Sequence, residues 1–329
     1  MGKPRAVGSD VIVLFCEEAV YATAPNGGAG NVYTRPYLKS EGLSGSQPLE
    51  GDELINTGSP DDTDPSLGAL DVSGDIVAPF DATGAGFWLR MALGPEPAGA
   101  VHDEEAGTYL HTWTSGQDLK SYTKQLVHPK LTTPKYRSCL GAKAGGFSFP
   151  LQRNGRAMIT IPMLASIEVK DNASHDANPK TFAYLPFDNC TGEIKLDDVV
   201  VANITGGQFD YSNNLDNVEA IRPDSAIDGS DEAIRTATGS LTIRIGTDHT
   251  IDDLVDANSP AAMEISFTLK SDATRKLTFS LPRVFFELAK KPVDGPGGVS
   301  ATVNWRAARD AVTPAPMLSV TLLNDVAAY

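Results

Sequence analysis

Apolar and polar residues alternate in short runs along most of this chain, and one arrangement of them occurs twice. Residues 68–94 read GALDVSGDIVAPFDATGAGFWLRMALG, and residues 233–259 read AIRTATGSLTIRIGTDHTIDDLVDANS. They align without a gap at a shift of 165 residues, Gly74 onto Gly239. Ile76 then meets Leu241, Ala78 meets Ile243 and Phe80 meets Ile245. Alternation of period two predicts a strand through each glycine. A small polar cluster follows, Asp81-Ala82-Thr83 or Gly246-Thr247-Asp248. Asp and Thr in such a position accept the free N–H groups of a helix start, so a short helix is predicted next. The unit is strand, tight turn, helix, used twice. Its surroundings repeat as well. An acidic, Gly/Pro-rich segment precedes each copy (45–66 and 214–232), and a strand-like run follows each (119–126 and 263–269). A period near half the chain exceeds that of solenoid repeats and implies a duplicated domain. The expected division is 1–170 and 171–329, with the polar stretch 170–180 as the boundary.

Further strands are predicted over 11–15, 32–38, 108–114, 147–152, 156–164, 182–186, 193–204, 208–211, 276–281, 284–288, 299–305 and 318–323. Asn154-Gly155 predicts a type I′ hairpin. Pro282 predicts a bend between two strands. The class is mainly β, with one short helix in each half.

Composition narrows the function. An apolar fraction of 41% with 21% charged residues is that of a globular chain. No apolar run approaches the ~20 residues of a membrane span, and no signal peptide is expected. Cys16, Cys139 and Cys190 lack disulfide or zinc spacing and are expected to be buried as small hydrophobes. There is no dinucleotide fingerprint, P-loop or HExxH, and GLSGS at 42–46 lacks the glycine a nucleophile elbow needs. The five histidines show no ligand spacing, and His111 reads as structural. DSAIDGSDE at 224–232 faintly resembles a calcium loop but lacks EF-hand spacing, so it reads as a solvated acidic loop. Acceptor triplets at Asn172, Asn189 and Asn203 read as chance matches. Trp88, Trp113 and Trp305 are spread as core residues are. No cofactor is expected. The net charge of −15 opposes direct affinity for phosphate backbones but allows nucleic acid as a passenger.

Several stretches, taken in order, resemble the tail tube proteins of long-tailed bacteriophages. EEAVYATAP at 17–25 resembles a Glu-x-x-x-Tyr-Gly-Thr-like opening, with Ala22 where glycine is usual. An acidic segment and the strand through Gly68 and Gly74 follow, then a helix ending in Leu93-Gly94. HTWTSG at 111–116, the Leu-x-Ser-x-Thr run at 119–123 and YRSCLGAKAGGFSFPL at 136–151 complete the series. The resemblance covers 15–164, and Pro150 departs from it.

The resemblance implies β-sandwich or open-barrel domains, each with one flanking helix. These would form rings of six that stack into a hollow tube through which DNA passes. Exposed sheet edges suit such closure. With two such domains per chain, three chains would complete a ring. The implied partners are further copies of the chain, a tape measure protein, tail terminator and tip proteins, and phage DNA as a non-specific passenger. No membrane binding is implied, and the location would be the virion tail, after assembly in the host cytoplasm. The contact residues expected between subunits are Glu50, Asp52, Glu53, Asp61, Asp62, Asp64, Asp216, Glu219, Asp224, Asp228, Asp231 and Glu232. Two alternatives stay open: another assembly protein, such as a decoration or head–tail joining protein, and a β-sandwich hydrolase of glycans. The hydrolase would need paired carboxylates in a cleft.

Overall fold

The computed structural model describes residues 5–28, 31–52, 54–55, 58–59, 61–104, 107–131, 136–201, 203–293, 295–310 and 315–329. The chain opens with β1 (Ile12–Glu17), β2 (Thr34–Arg35), β3 (Ser40–Glu41), β4 (Ser44–Ser46), β5 (Leu49–Glu50), β6 (Ser66–Leu67) and β7 (Asp71–Pro79). Helix α1 (Ala85–Leu93) comes next. It is followed by β8 (Val101–Asp103), β9 (Thr108–Thr114), β10 (Tyr122–Val127), β11 (Tyr136–Ala144), β12 (Gly146–Leu151), β13 (Met158–Ala165) and β14 (Ile167–Asp171). The rest is β15 (Lys180–Thr181), β16 (Gly192–Leu196), β17 (Val199–Val200), β18 (Ile204–Ser212), β19 (Leu215–Val218), β20 (Gly229–Glu232) and β21 (Thr236–Arg244). Helix α2 (Thr250–Asp256), β22 (Ala261–Leu269), β23 (Asp272–Phe286), β24 (Ser300–Ala307) and β25 (Ser319–Asn324) complete it. The fold is mainly β, as the alternation predicts.

The strand pairings repeat. β1–β10, β10–β11, β11–β14, β11–β13, β13–β7 and β7 with β3–β4 are all antiparallel. β16–β22, β22–β23, β23–β25, β23–β24, β24–β21 and β21–β18 match them one for one, also antiparallel. α1 begins at Ala85 and α2 at Thr250, the same shift that superposes Gly74 on Gly239. Both glycines answer one steric demand. A Cβ on Gly74 would lie 2.1 Å from the Gly42 carbonyl oxygen, and one on Gly239 would lie 2.1 Å from that of Gln208. The neighbouring backbone comes too close for any side chain.

Three ladders join the halves, the shortest being the parallel pairing of β15 with β2. β12 pairs with β18 from Gly146↔Ser212 to Leu151↔Gly207. One layer therefore runs β4–β7–β13–β12–β18–β21–β24. The β8–β9 hairpin of the first half pairs with β25 of the second. A single apolar core fills the space between this layer and the outer ladders. Phe149 stacks on Phe209 at 4.8 Å across the junction, and Phe279 of the outer ladder lies 4.8 Å from Phe149.

Several local expectations change. Asn154-Gly155 does not form a type I′ turn: Gly155 is left-handed (φ 92) but Asn154 is not. β12 and β13 share only Ser148↔Thr160, because β12 gives its ladder to β18. The two left-handed residues of a type I′ turn are instead Asp197 and Asp198 (φ 47 and 64), between β16 and β17. Pro282 lies inside the continuous β23, where the ladder to β22 shifts register, so a bulge absorbs the missing donor. Residues 32–38 keep only β2. Residues 182–186 form no strand beyond one bridge, Asp81↔Pro186.

Candidate assembly surfaces

Three of the stretches that carry the resemblance meet at a buried carboxylate. Glu18 Oε1 accepts from Thr123 Oγ1 (2.7 Å) and from the Gly141 N–H (2.9 Å). Its Oε2 accepts from the Ala22 N–H at 2.9 Å. The opening motif, the Leu-x-Ser-x-Thr run and the segment at 136–151 are thus tied at one point. Ala22 takes φ 53, a left-handed conformation that glycine adopts at no steric cost.

Each helix start also carries an Asp-x-Thr turn, Asp81 standing four residues before α1 and Asp248 two before α2. Asp81 Oδ1 accepts from Thr83 Oγ1 and from the N–H groups of Thr83 and Gly84, at 2.6–3.0 Å. Asp248 Oδ1 accepts from Thr250 Oγ1 (2.7 Å) and its N–H (3.0 Å). Their electrostatics differ. Burial pushes the Asp81 carboxyl above the usual carboxylate range, against the pull of its donors. Asp248 is exposed, and the Thr250 hydroxyl and N–H hold it below that range.

Each acidic segment is a hairpin at one place in the repeat. The first joins β4 to β7 through β5 and β6. Glu50 ends β5, and Asp52, Asp61, Asp62 and Asp64 are exposed in the connection; Glu53 lies outside the described residues. No Lys or Arg occurs in 45–66, and among the described residues no cation pairs with these carboxylates. Leu49, Ile55 and Leu67 are exposed beside them. The second hairpin joins β18 to β21 through β19 and β20. It carries Asp216, Glu219 and Asp231 exposed. Arg222 holds Asp224 at 2.9 Å and Asp228 at 2.7 Å, so a guanidinium stands between the carboxylates that resembled calcium ligands. Glu232 pairs with Arg235 and accepts from the Leu119 N–H.

The second hairpin is seated on the first half of its own chain. Ser166 Oγ donates to the Ile227 carbonyl (2.6 Å), and Lys143 Nζ to that of Ser230 (2.8 Å). The Leu70 N–H donates to the Ser225 carbonyl at 3.2 Å. The eleven described residues of the expected contact set therefore lie on two hairpins in unlike surroundings, one bare and one seated on the first half.

The long layer has an open face that the sequence reading left undetermined. Its core side carries Val72, Ile76, Phe147, Phe149, Phe209 and Trp305. The alternate positions include Asp71, Ser73 and Asp75 on β7, Ser148 on β12 and Asp210 on β18. Thr238, Ser240, Thr302 and Asn304 extend this face over β21 and β24, where Arg306 is exposed. Hydroxyls and carboxylates dominate it.

Other candidates are structural. His111 is buried, its Nε2–H donating to the Val326 carbonyl (2.7 Å) and its Nδ1 2.8 Å from Glu96. Burial pushes the Cys16 and Cys139 thiols up to about 11, whereas Cys190 is exposed. A groove of about 820 Å³ at one end of the second half is lined by Arg153, Cys190, Ile194 and Phe267, and Glu193 is its one carboxylate. A glycoside hydrolase needs two. Among the described residues, no group of three His, Cys, Asp or Glu side chains could hold a metal, and no helix is long and apolar enough to cross a membrane.

Comparison with curated proteins returns no match. Comparison with family models matches residues 8–307 to the phage tail tube proteins, a span that takes in both copies of the repeat, both acidic hairpins and the ladder between the halves. The chain belongs to the phage tail tube protein family.

Proposed function

We propose that this chain is a tail tube subunit whose two halves are duplicated tube-type units, so that three chains close a ring of six units. The family is one of structural tail proteins that assemble into a tube. The carrying observation is the one-for-one repeat of six antiparallel pairings at a shared glycine and helix register. Stacked rings would then form the conduit for phage DNA. The open face of the long layer lines the lumen: its hydroxyls bind no phosphate strongly, and Asp71, Asp75 and Asp210 repel the backbone over about a Debye length, ~8–10 Å. The two acidic hairpins contact neighbouring subunits. Tape measure, terminator and tip proteins are the further partners, and assembly takes place in the host cytoplasm.

Electron microscopy of the purified protein with helical averaging tests this. Hollow tubes with three chains per ring are expected. Six whole chains per ring would keep the tube and discard the two-unit ring. Tight, salt-sensitive DNA binding by assembled tubes would contradict the lumen assignment.

A further inference from the structure

We infer that the ladder between the two halves of one chain is the template for the contact between neighbouring chains. Residues 288–293 of one copy pair antiparallel with residues 41–46 of the next, with Ala289 opposite Gly45 and Lys291 opposite Leu43. This rests on the tube reading above and gives it a register.

Two sets of equivalent contacts fix the alignment. The first locates the missing counterpart of β12. The Gly145 N–H donates to the Pro162 carbonyl (2.7 Å), next to Met163, which lies opposite Gly74. The Glu287 N–H donates to the Asn304 carbonyl (2.9 Å), next to Trp305, which lies opposite Gly239. Glu287 thus stands where Gly145 stands, and residues 288–293 stand where β12 stands. β12 pairs with β18; residues 288–293 have no strand partner among the described residues, and Leu288 and Val293 are exposed. Ala289 occupies the place of Phe147 and packs against the core.

The second set locates the counterpart of β18. Phe209 lies opposite Gly239. The ladder Ser40↔Val77, Ser44↔Ser73 puts Leu43 opposite Gly74. The Gly42 and Gln208 carbonyls make the same 2.1 Å approach to a Cβ position. The β3–β4 edge therefore stands where β18 stands, and no strand among the described residues pairs with its outer side. Side chains cap it instead: Lys124 Nζ donates to the Leu43 carbonyl (2.6 Å) and the Gly45 N–H donates to Glu168 Oε2 (2.5 Å). A carbonyl accepts twice, but an N–H donates once, so Glu168 gives way when a strand adds to this edge.

Charge points to the same partner. Within the chain, the second hairpin sits on Lys143 and Ser166, with Leu164 opposite Lys143 in the ladder. Their counterparts in the register are Phe285, Arg306 and Ala308. Around this vacant seat lie Arg283, Arg306 and Arg309, the last two exposed. The second hairpin carries its own Arg222, whereas the first has no cation between residues 45 and 66. The cationic seat fits the first hairpin of the next copy.

The test is an inter-chain disulfide in assembled tubes. Ser46 and Leu288 fall in a non-hydrogen-bonded pair, where Cα atoms approach to ~4.5 Å, within disulfide reach. Ser46→Cys with Leu288→Cys, in a Cys190→Ser background, is expected to yield covalent trimers on oxidation of tubes. Ser46→Cys with Lys290→Cys, two residues out of register, is not. Tubes that form but link equally in both, or in neither, overturn the register and leave the tube reading standing. Wild-type protein that never forms rings or tubes, even when seeded, overturns both. A map of wild-type tubes reads the register without any variant, and Gly45 opposite a residue other than Ala289 sinks it. Arg306→Glu with Arg309→Glu is expected to raise the critical concentration for assembly about tenfold; no change would remove the hairpin seat.

Discussion

The two helices begin in the same register and end in opposite surroundings. α1 buries every residue but Arg90, which is itself partly covered, while α2 buries only Ile251. The two acidic hairpins differ likewise: the second is seated on the first half, and the first is bare. One cause serves both. The second half lends its hairpin and its last residues to the first half, and beyond the shared β12–β18 ladder the first half returns the β8–β9 hairpin, to β25, but no cover for α2. In the subunit α1 is covered and α2 is not; on the reading above, the β3–β4 edge of the first half and the hairpin seat of the second are filled by neighbouring copies. If this is right, damage to contacts the first half receives should cost stability, and damage to the matching places of the second half should cost only assembly.

Asn213 gives the largest effect. It is fully buried, and its Nδ2 donates to the carbonyls of Ala92 (2.9 Å) and Ala144 (3.0 Å) in the first half. Asn213→Leu strands both acceptors in the core, each worth ~1–3 kcal/mol. A loss of about 3 kcal/mol in urea unfolding is expected. The matching position by the register above is Gln47, and Gln47→Leu should leave unfolding within ~0.5 kcal/mol of wild type, as for ordinary surface changes. Equal losses at both positions would erase the contrast between the halves.

Tyr329 comes second. Its hydroxyl donates to the Thr83 carbonyl (2.7 Å) and accepts from Asn324 Nδ2 (2.6 Å). Its ring lies so near Gly86 that a Cβ there would come within 2.2 Å of it. Tyr329→Ala should cost about 2 kcal/mol, less than a fully buried aromatic because part of the ring is open. Hydrogen exchange should speed up in α1 and leave α2 unchanged. Faster exchange in both helices would mean that the last residues act on the whole core rather than on α1.

How much of this was legible follows the range of the interactions. Gly74, Gly239 and the small polar clusters at 81–83 and 246–248 announced themselves because strand alternation and helix starts are local. The halves' register held for the same reason: one steric demand, a carbonyl too close for a Cβ, recurs at both glycines. The partner of β12 was not legible. Phe147 to Gln152 beside Asn154-Gly155 suits a local hairpin, and only the competing ladder to β18 shows why that hairpin barely pairs. The hub at Glu18 was visible as ordered motifs but not as a contact, since its donors come from Thr123 and Gly141. Of the acidic segments, sequence marked the composition and the shared place in the repeat. It did not mark that Arg222 and Arg235 pair with three of the six carboxylates in one of them while, among the described residues, no cation pairs with those of the other.

The smallest effect is also the cleanest comparison, because one chemical change is made twice. Asp81 and Asp248 each accept from a threonine two residues on. Burial raises the folded-state pKa of Asp81, so its contribution is fully present below the unfolded value, ~3.9, and is lost as pH rises through the folded one. Hydrogen bonds lower that of Asp248, so its contribution is present above ~3.9 and is lost as pH falls through the folded value. Asparagine keeps the Oδ1 acceptor and removes the titration. Relative to wild type, Asp81→Asn should therefore gain stability as pH rises from 3.5 to 7, to be read as a rising difference in Tm; both pH values are about half a unit or more from ~3.9. Asp248→Asn should lose stability over the same interval, by a smaller amount, because solvent screens the exposed carboxylate. Parallel slopes for the two variants would mean that burial does not separate the helix starts, and the asymmetry between the halves would then lie only in the hairpins.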